Sequence, residues 1–165
     1  MAFDCFLKID GIPGESTDDK HKDWVEVLSF NTGVSQASAG SRSTAGARSG
    51  GRADFSDFSI VHNLDKASPK LALACANGEH IKTVTLTLNR ATKEKQQYME
   101  YKMENVLVSG VSSRGSSAGT ETLPLEDVSF NYGKMTWTYT ETDKQSGAAK
   151  GQVSAAWDLT ANKTA

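Results

Sequence analysis

From its first residues the chain places apolar side chains at every second position: Phe3, Cys5, Leu7 and Ile9 fall on one face, with mostly charged residues between them. A period of two is the spacing of a β-strand with one face buried. Gly11-Ile12-Pro13-Gly14 ends that strand, and after the polar stretch 15–22 a second is expected over residues 24–30. There Trp24, Val25, Val27, Leu28 and Phe30 are dense enough for both faces to be partly covered. Phe58, Ile60, His62 and Leu64 resume the alternation. Four more stretches repeat it: Val84, Leu86 and Leu88; residues 98–111; Val128, Phe130 and Tyr132 running into Met135, Trp137 and Tyr139; and Val153, Ala155, Trp157 and Leu159. Together these make about seven or eight strands. Asn131-Tyr132-Gly133-Lys134 has the composition of a tight turn joining two of them. Pro124, with no N–H for a ladder, is expected at a strand start or an edge.

One segment has a different period. In Ser68-Pro69-Lys70-Leu71-Ala72-Leu73-Ala74-Cys75-Ala76-Asn77-Gly78, Ser68 is placed to cap a helix and Pro69 suits its first position. Gly78 can take the left-handed conformation that closes it. Leu71 and Cys75, four apart, would face a sheet. Many short strands with one helix predict a mainly β fold, a small antiparallel β-barrel or sandwich with the helix laid on its side. With no internal repeat and no linker, residues 1–165 are expected to form a single domain.

Residues 35–52 carry almost nothing but Ser, Ala, Gly and Arg, with no large apolar side chain to anchor them, and are expected to be a long flexible loop. Loops of that length in compact domains are uncommon and tend to carry function, so this one is a candidate contact surface. Shorter Gly/Ser-rich loops are expected over 112–119 and 145–151.

Charge and chemistry narrow the function classes. Eighteen Lys and Arg stand against 20 Asp and Glu, so the net charge of −2 supplies no field to hold nucleic acid or an anionic membrane. The two cysteines, Cys5 and Cys75, have neither metal-ligand nor disulfide-framework spacing and read as small core residues. The first residues lack a basic region followed by an apolar run, and no segment reaches the length of a membrane span. The protein is therefore expected to be made soluble in the cytosol, and to leave the cell only by a route that needs no cleaved signal.

Gly115-Ser116-Ser117-Ala118-Gly119 matches the pattern of a hydrolase nucleophile elbow, but no helical pattern follows and His21, His62 and His80 all precede it, against the order of that family. The glycines around Arg42, Arg48 and Arg52 lack the Gly-Lys-Ser/Thr ending of a phosphate loop and the aromatics of a base-stacking platform. Residues 15–21 lack the glycine turn and terminal glutamate of a calcium loop. No catalytic residue, cofactor or metal ligand is assigned.

Longer segments carry a resemblance. The opening residues 1–9, Gly14-Glu15-Ser16 with Asp19-Lys20-His21, Val27-Leu28-Ser29-Phe30, and Gly33-Val34-Ser35-Gln36 are similar to segments of the haemolysin-coregulated protein family of bacterial type VI secretion. Asp65-Lys66-Ala67-Ser68-Pro69-Lys70-Leu71 with Ala74-Cys75-Ala76-Asn77-Gly78, and Glu104-Asn105-Val106-Leu107-Val108-Ser109-Gly110-Val111, extend the resemblance in colinear order over nearly the whole chain. It implies a barrel like that of phage tail-tube proteins, with one flanking helix. It also implies homo-hexameric rings stacked into a tube, driven out by a contractile sheath beneath a valine-glycine repeat spike and carrying effector proteins. By the same resemblance, residues 35–52 reach toward the adjacent ring, with Arg42, Arg48 and Arg52 available to carboxylates there. Asn31 falls at a lumen-facing position where related proteins carry serine, which makes it the candidate effector contact. Two other readings compete: a monomeric small-ligand-binding β-barrel in the cytosol, and a secreted enzyme or enzyme-fused tube protein, for which 165 residues leave no room for an added domain.

Overall fold

The computed structural model describes residues 3–39, 49–120 and 122–165. In chain order its elements are β1 (Phe3–Ile9), β2 (Val25–Glu26), β3 (Ser29–Asn31), β4 (Val34–Ala39), β5 (Ser49–Phe55), β6 (Phe58–Asn63), α1 (Ser68–Asn77), β7 (His80–Arg90), β8 (Gln97–Arg114), β9 (Leu125–Thr142), β10 (Ala149–Asp158) and β11 (Lys163–Thr164). Every pairing is antiparallel. The ladder runs β2–β1–β7–β8–β9 and then divides, because β9 pairs β6 over its first residues and β10 over its last. β6 in turn pairs β3. Residues 25–31 close the circuit. Val25 and Glu26 pair β1, the Val27 N–H donates to Cys5, the Leu28 N–H donates to Val61, and β3 continues along β6. A barrel results, closed through β1, β7, β8, the first part of β9, β6 and residues 25–31, with β10 and β11 extending the sheet beyond the last part of β9.

The barrel interior is filled with side chains. Leu7, Val25, Phe58, Ile60, Val84, Leu86, Met103, Val106, Phe130 and Met135 are all at 1% exposure or less. Cys5 belongs to this core, and burial pushes its thiol up to about 12. Cys75 is half-buried against it. Helix α1 packs on β8 through Leu71 and Ala74, and Gly78 ends it in the left-handed conformation at φ 68°.

The helix start differs from expectation. Ala67, not Ser68, is the capping position, and no side chain there makes a cap bond. Instead the Asp65 carboxylate accepts from the Ala67 N–H at 2.8 Å, while the buried Ser68 hydroxyl accepts from the Asp65 N–H at 3.1 Å. Two short polar side chains one turn apart share the role that one was expected to fill.

The turn expected at 131–134 does not exist. β9 runs straight through it, with Asn131 opposite Leu107, Tyr132 opposite Val106 and Lys134 opposite Glu104. Gly133 is there for space: a Cβ would lie 3.0 Å from the Asn105 amide nitrogen, and Asn105 itself is left-handed at φ 53°. Across this pair the buried positions shift parity together. They pass from Met103 to Val106 on β8 and from Tyr132 to Met135 on β9, so both strands turn over while their register holds. It is also where β9 exchanges β6 for β10.

The segment expected as a loop over 35–52 is strand at both ends. β4 and β5 pair from Val34 opposite Phe55 to Ala39 opposite Ser49 and form their own two-stranded sheet. Pro124 lies just before β9, as expected.

Candidate assembly and cargo surfaces

The β4–β5 hairpin leaves the barrel as an arm beside the place where β9 changes partners. Its residues 34–37 and 50–55 are exposed except Ala53 and Phe55, and its root is firmly held. Phe55 stacks on Trp137 at 6.2 Å and meets Tyr132 edge-on at 6.4 Å. The Tyr132 hydroxyl donates to the Ser56 carbonyl at 3.1 Å, and the Ser56 hydroxyl donates to the Gly33 carbonyl at 3.1 Å. One carboxylate, Asp57, accepts from Asn131 at 3.1 Å and from the Ser109 hydroxyl at 2.7 Å. Arg52 lies on β5 with an exposed side chain. Arg42 and Arg48 lie outside the described residues. Asn31, at the end of β3 opposite Ser59 and three residues before the arm begins at Val34, is exposed.

A second exposed feature is β10. Its inner edge pairs β9, while among the described residues β11 and Ala165 cover its outer edge only at Ala156, Trp157 and Asp158. Its residues 149–155 are exposed, and Val153 at 73% exposure stands opposite Tyr139 at 46%. Apolar side chains beside an uncovered strand edge are the usual ingredients of pairing between chains.

Three comparisons bear on what these surfaces serve. The family model described as "Type VI secretion system effector, Hcp" matches residues 6–139. The chain belongs to the Hcp family. Protein hcp1 of Pseudomonas aeruginosa is 33% identical over 164 residues, covering 98% of both chains. Among solved structures, one titled as a type six secretion system protein superposes with a TM-score of 0.93 at 36% identity, covering 99% of this chain and all of the other. Hcp1 from Salmonella typhimurium superposes at 0.82 with 33% identity over the whole of both chains. Hcp proteins are tube components of type VI secretion and leave the cell by that route; theirs is a structural family rather than an enzyme family.

In this Hcp chain the serine-containing pattern at 115–119 lies in an exposed turn between two strands, β8 and β9, and Ser117 has no helix behind it. The histidines are instead structural. His21 stacks on Phe6 at 4.3 Å with Trp24 edge-on to it, and its Nδ1–H donates to the Asp18 carboxylate at 2.8 Å. Asp18 also receives the Lys95 ammonium, which reaches across from the turn between β7 and β8. That ammonium chiefly, and His21 with it, holds the Asp18 carboxyl down to about 2. This contact staples the loop 15–24 over Phe6.

His62 is fully buried, and its Nε2 lies 3.0 Å from Glu126, which also accepts from the Ser113 hydroxyl at 3.1 Å. Its Nδ1 has no hydrogen-bond partner, the nearest carboxylate oxygen on Asp65 being 3.9 Å away. The alternation through Phe58, Ile60 and His62 predicts His62 on the inward face of its strand, but it does not name Glu126 as the partner. The available signal was parity: Glu126 shares its face with Val128 and Phe130, as His62 does with Phe58 and Ile60.

Loop 15–24, the start of β1, and the turn 91–97 enclose a cleft of about 1430 Å³. Exposed Phe3 and Leu28 line it together with the buried amide of Asn89.

Proposed function

We propose that copies of this chain close into six-membered rings that stack into the exported tube of a type VI secretion machine, and that the ring lumen carries effector proteins. The observation carrying this reading is that, among the described residues, the β4–β5 arm and most of the outer edge of β10 pair with nothing else in the chain. These are different surfaces, so a contact between copies that uses them is heterologous and can close a ring or continue as a filament. In this reading the remaining partners are those the resemblance implies: a contractile sheath outside, a valine-glycine repeat spike at the tip, and effectors within. In this reading Asn31 faces the lumen and offers an amide to cargo, and Arg52 belongs to the contact between rings. Arg42 and Arg48 join that contact by resemblance alone.

A monomeric ligand-binding barrel is disfavoured because Phe58, Phe130, Met103, Met135 and Leu86 fill the interior where a ligand would sit. Export into the medium, compared between cells with and without a working sheath, tests the tube. Release that does not depend on the sheath contradicts it. Asn31→Arg tests the cargo role in the same cells: the chain itself is expected to be exported while its effector is no longer protected or released. Unchanged effector export removes Asn31 from the lumen contact.

A further inference from the structure

On β7 the side chains of Leu86 and Leu88 enter the core, so those of Thr87 and Asn89 project from the opposite face of the sheet. Both are nonetheless at 1% exposure. Asp4 stands directly opposite Asn89 on β1, and Phe6 opposite Thr87, so these four side chains share that outer face. Loop 15–24 and the turn 91–97 rise on either side of it, and Asp4, Phe6 and Asn89 become part of the lining of the cleft between them.

What this cleft lacks is a donor. The Asn89 Nδ2 donates to the Thr87 hydroxyl, but its Oδ1 is buried with no hydrogen-bond partner. A buried carbonyl oxygen left without a donor is rare in a finished structure and calls for one from outside. Among the described residues, the carboxylates of Asp4, Asp19 and Glu26, on the same cleft, have no ion-pair partner. Neighbouring donors are already engaged within the chain: Gln97 donates to Glu100, Gln152 to Thr140, Lys20 to the Glu94 carbonyl and Lys95 to Asp18.

A ligand that matches brings N–H donors and positive charge, and has an apolar stem for Phe3 and Leu28, which line the same cleft at 47% and 57% exposure. Among the described residues no three His, Cys, Asp or Glu side chains are grouped to hold a metal ion, so the fitting cation is an organic one. We propose that the cleft binds an aliphatic ammonium group, its N–H donors shared between the Asn89 Oδ1 and the Asp4 carboxylate and its hydrocarbon stem lying along Phe3 and Leu28. Cross-strand partners hold their Cβ atoms about 4.5–5.5 Å apart, and an ammonium has three donors with which to bridge them. A free diamine carries this chemistry, and so does a lysine side chain of another protein. Every group in the site comes from one copy of the chain, so it stands or falls separately from the ring reading.

The test is calorimetric titration of the full chain at low salt with putrescine, with the amide of acetyl-lysine, and with butanediol, which keeps the stem and lacks the charge. Saturable binding of one amine per chain is expected, with the diol binding far more weakly. Binding of putrescine alone assigns the site to a free amine, and binding of the lysine derivative alone assigns it to a protein side chain. Asp4→Asn and Asn89→Leu should each weaken the amine about tenfold or more, the loss expected for one charge-assisted or buried hydrogen bond. Asp4 is half-buried and Asp4→Asn keeps its shape, so that variant remains readable even where Asn89→Leu folds poorly. Binding of neither amine, amines no tighter than butanediol, or amine binding that Asp4→Asn leaves unchanged overturns the proposal.

Discussion

The buried pair His62 and Glu126 gives the sharpest test of how this barrel is held together. Glu126 is 2% exposed and His62 fully buried, so neither can turn to water when its partner is lost. Replacing Glu126 by Leu leaves both ring nitrogens of His62 unpartnered, since Nδ1 already lies 3.9 Å from Asp65. Leaving a buried polar group without its hydrogen-bond partner costs about 1–3 kcal/mol. The upper end applies here because neither residue can reach water. His62→Leu leaves Glu126 with the Ser113 hydroxyl as its remaining donor and is expected to cost about 3 kcal/mol by the same reasoning. The double variant removes both buried groups together and is expected to be no less stable than either single one. The interaction term is therefore at least about 3 kcal/mol, at the top of the range for contacting residues. Urea unfolding at one fixed protein concentration measures this, because assembly stabilises the folded chain by mass action. The midpoint should fall in each single variant with the slope unchanged. Additive losses, or single variants within about 0.5 kcal/mol of the parent, would refute the reasoning.

Two further outcomes follow from local geometry. The Asp18 carboxyl titrates near 2 in the folded chain, below the ordinary aspartate value of about 3.9. Its contribution is thus present above about pH 4 and lost as pH falls toward 2. Asp18→Asn should flatten that part of a melting-temperature profile, and an unchanged acid slope would show that the staple over Phe6 is not what acid releases. At Gly14 a Cβ would lie 2.4 Å from the Trp24 carbonyl oxygen, a backbone atom that cannot turn aside. Gly14→Ala is expected to cost about 1–3 kcal/mol. At about 2–4 °C per kcal/mol for a chain this size, calorimetry would register the loss readily, and an unshifted melting point would contradict it.

Legibility in the sequence tracked burial. Where one face of a strand meets the core, as at Phe3–Ile9 or Phe58–Asn63, the alternation predicted the strand directly. The arm escaped because neither of its faces is buried: backbone hydrogen bonds make it a sheet, and they leave no apolar period to read. The continuous β9 was broken at Gly133 for a related reason. A glycine that makes room for Asn105 is indistinguishable in one dimension from a glycine that turns the chain. The parity change from Tyr132 to Met135 reinforced the misreading. The helix was recognised from its composition and Gly78, but its capping passed to Asp65 and Ser68 together. The cleft was wholly hidden, since it joins residues 3–28 to the turn 91–97 and the end of β9 across pairings no local pattern specifies.

Solution mass by light scattering, with negative-stain images of the same sample, tests the central claim most directly. Six chains of 17.7 kDa give about 106 kDa, and a particle of that mass with an open centre is the predicted result. A species that stays at the mass of one chain at high protein concentration would contradict the account.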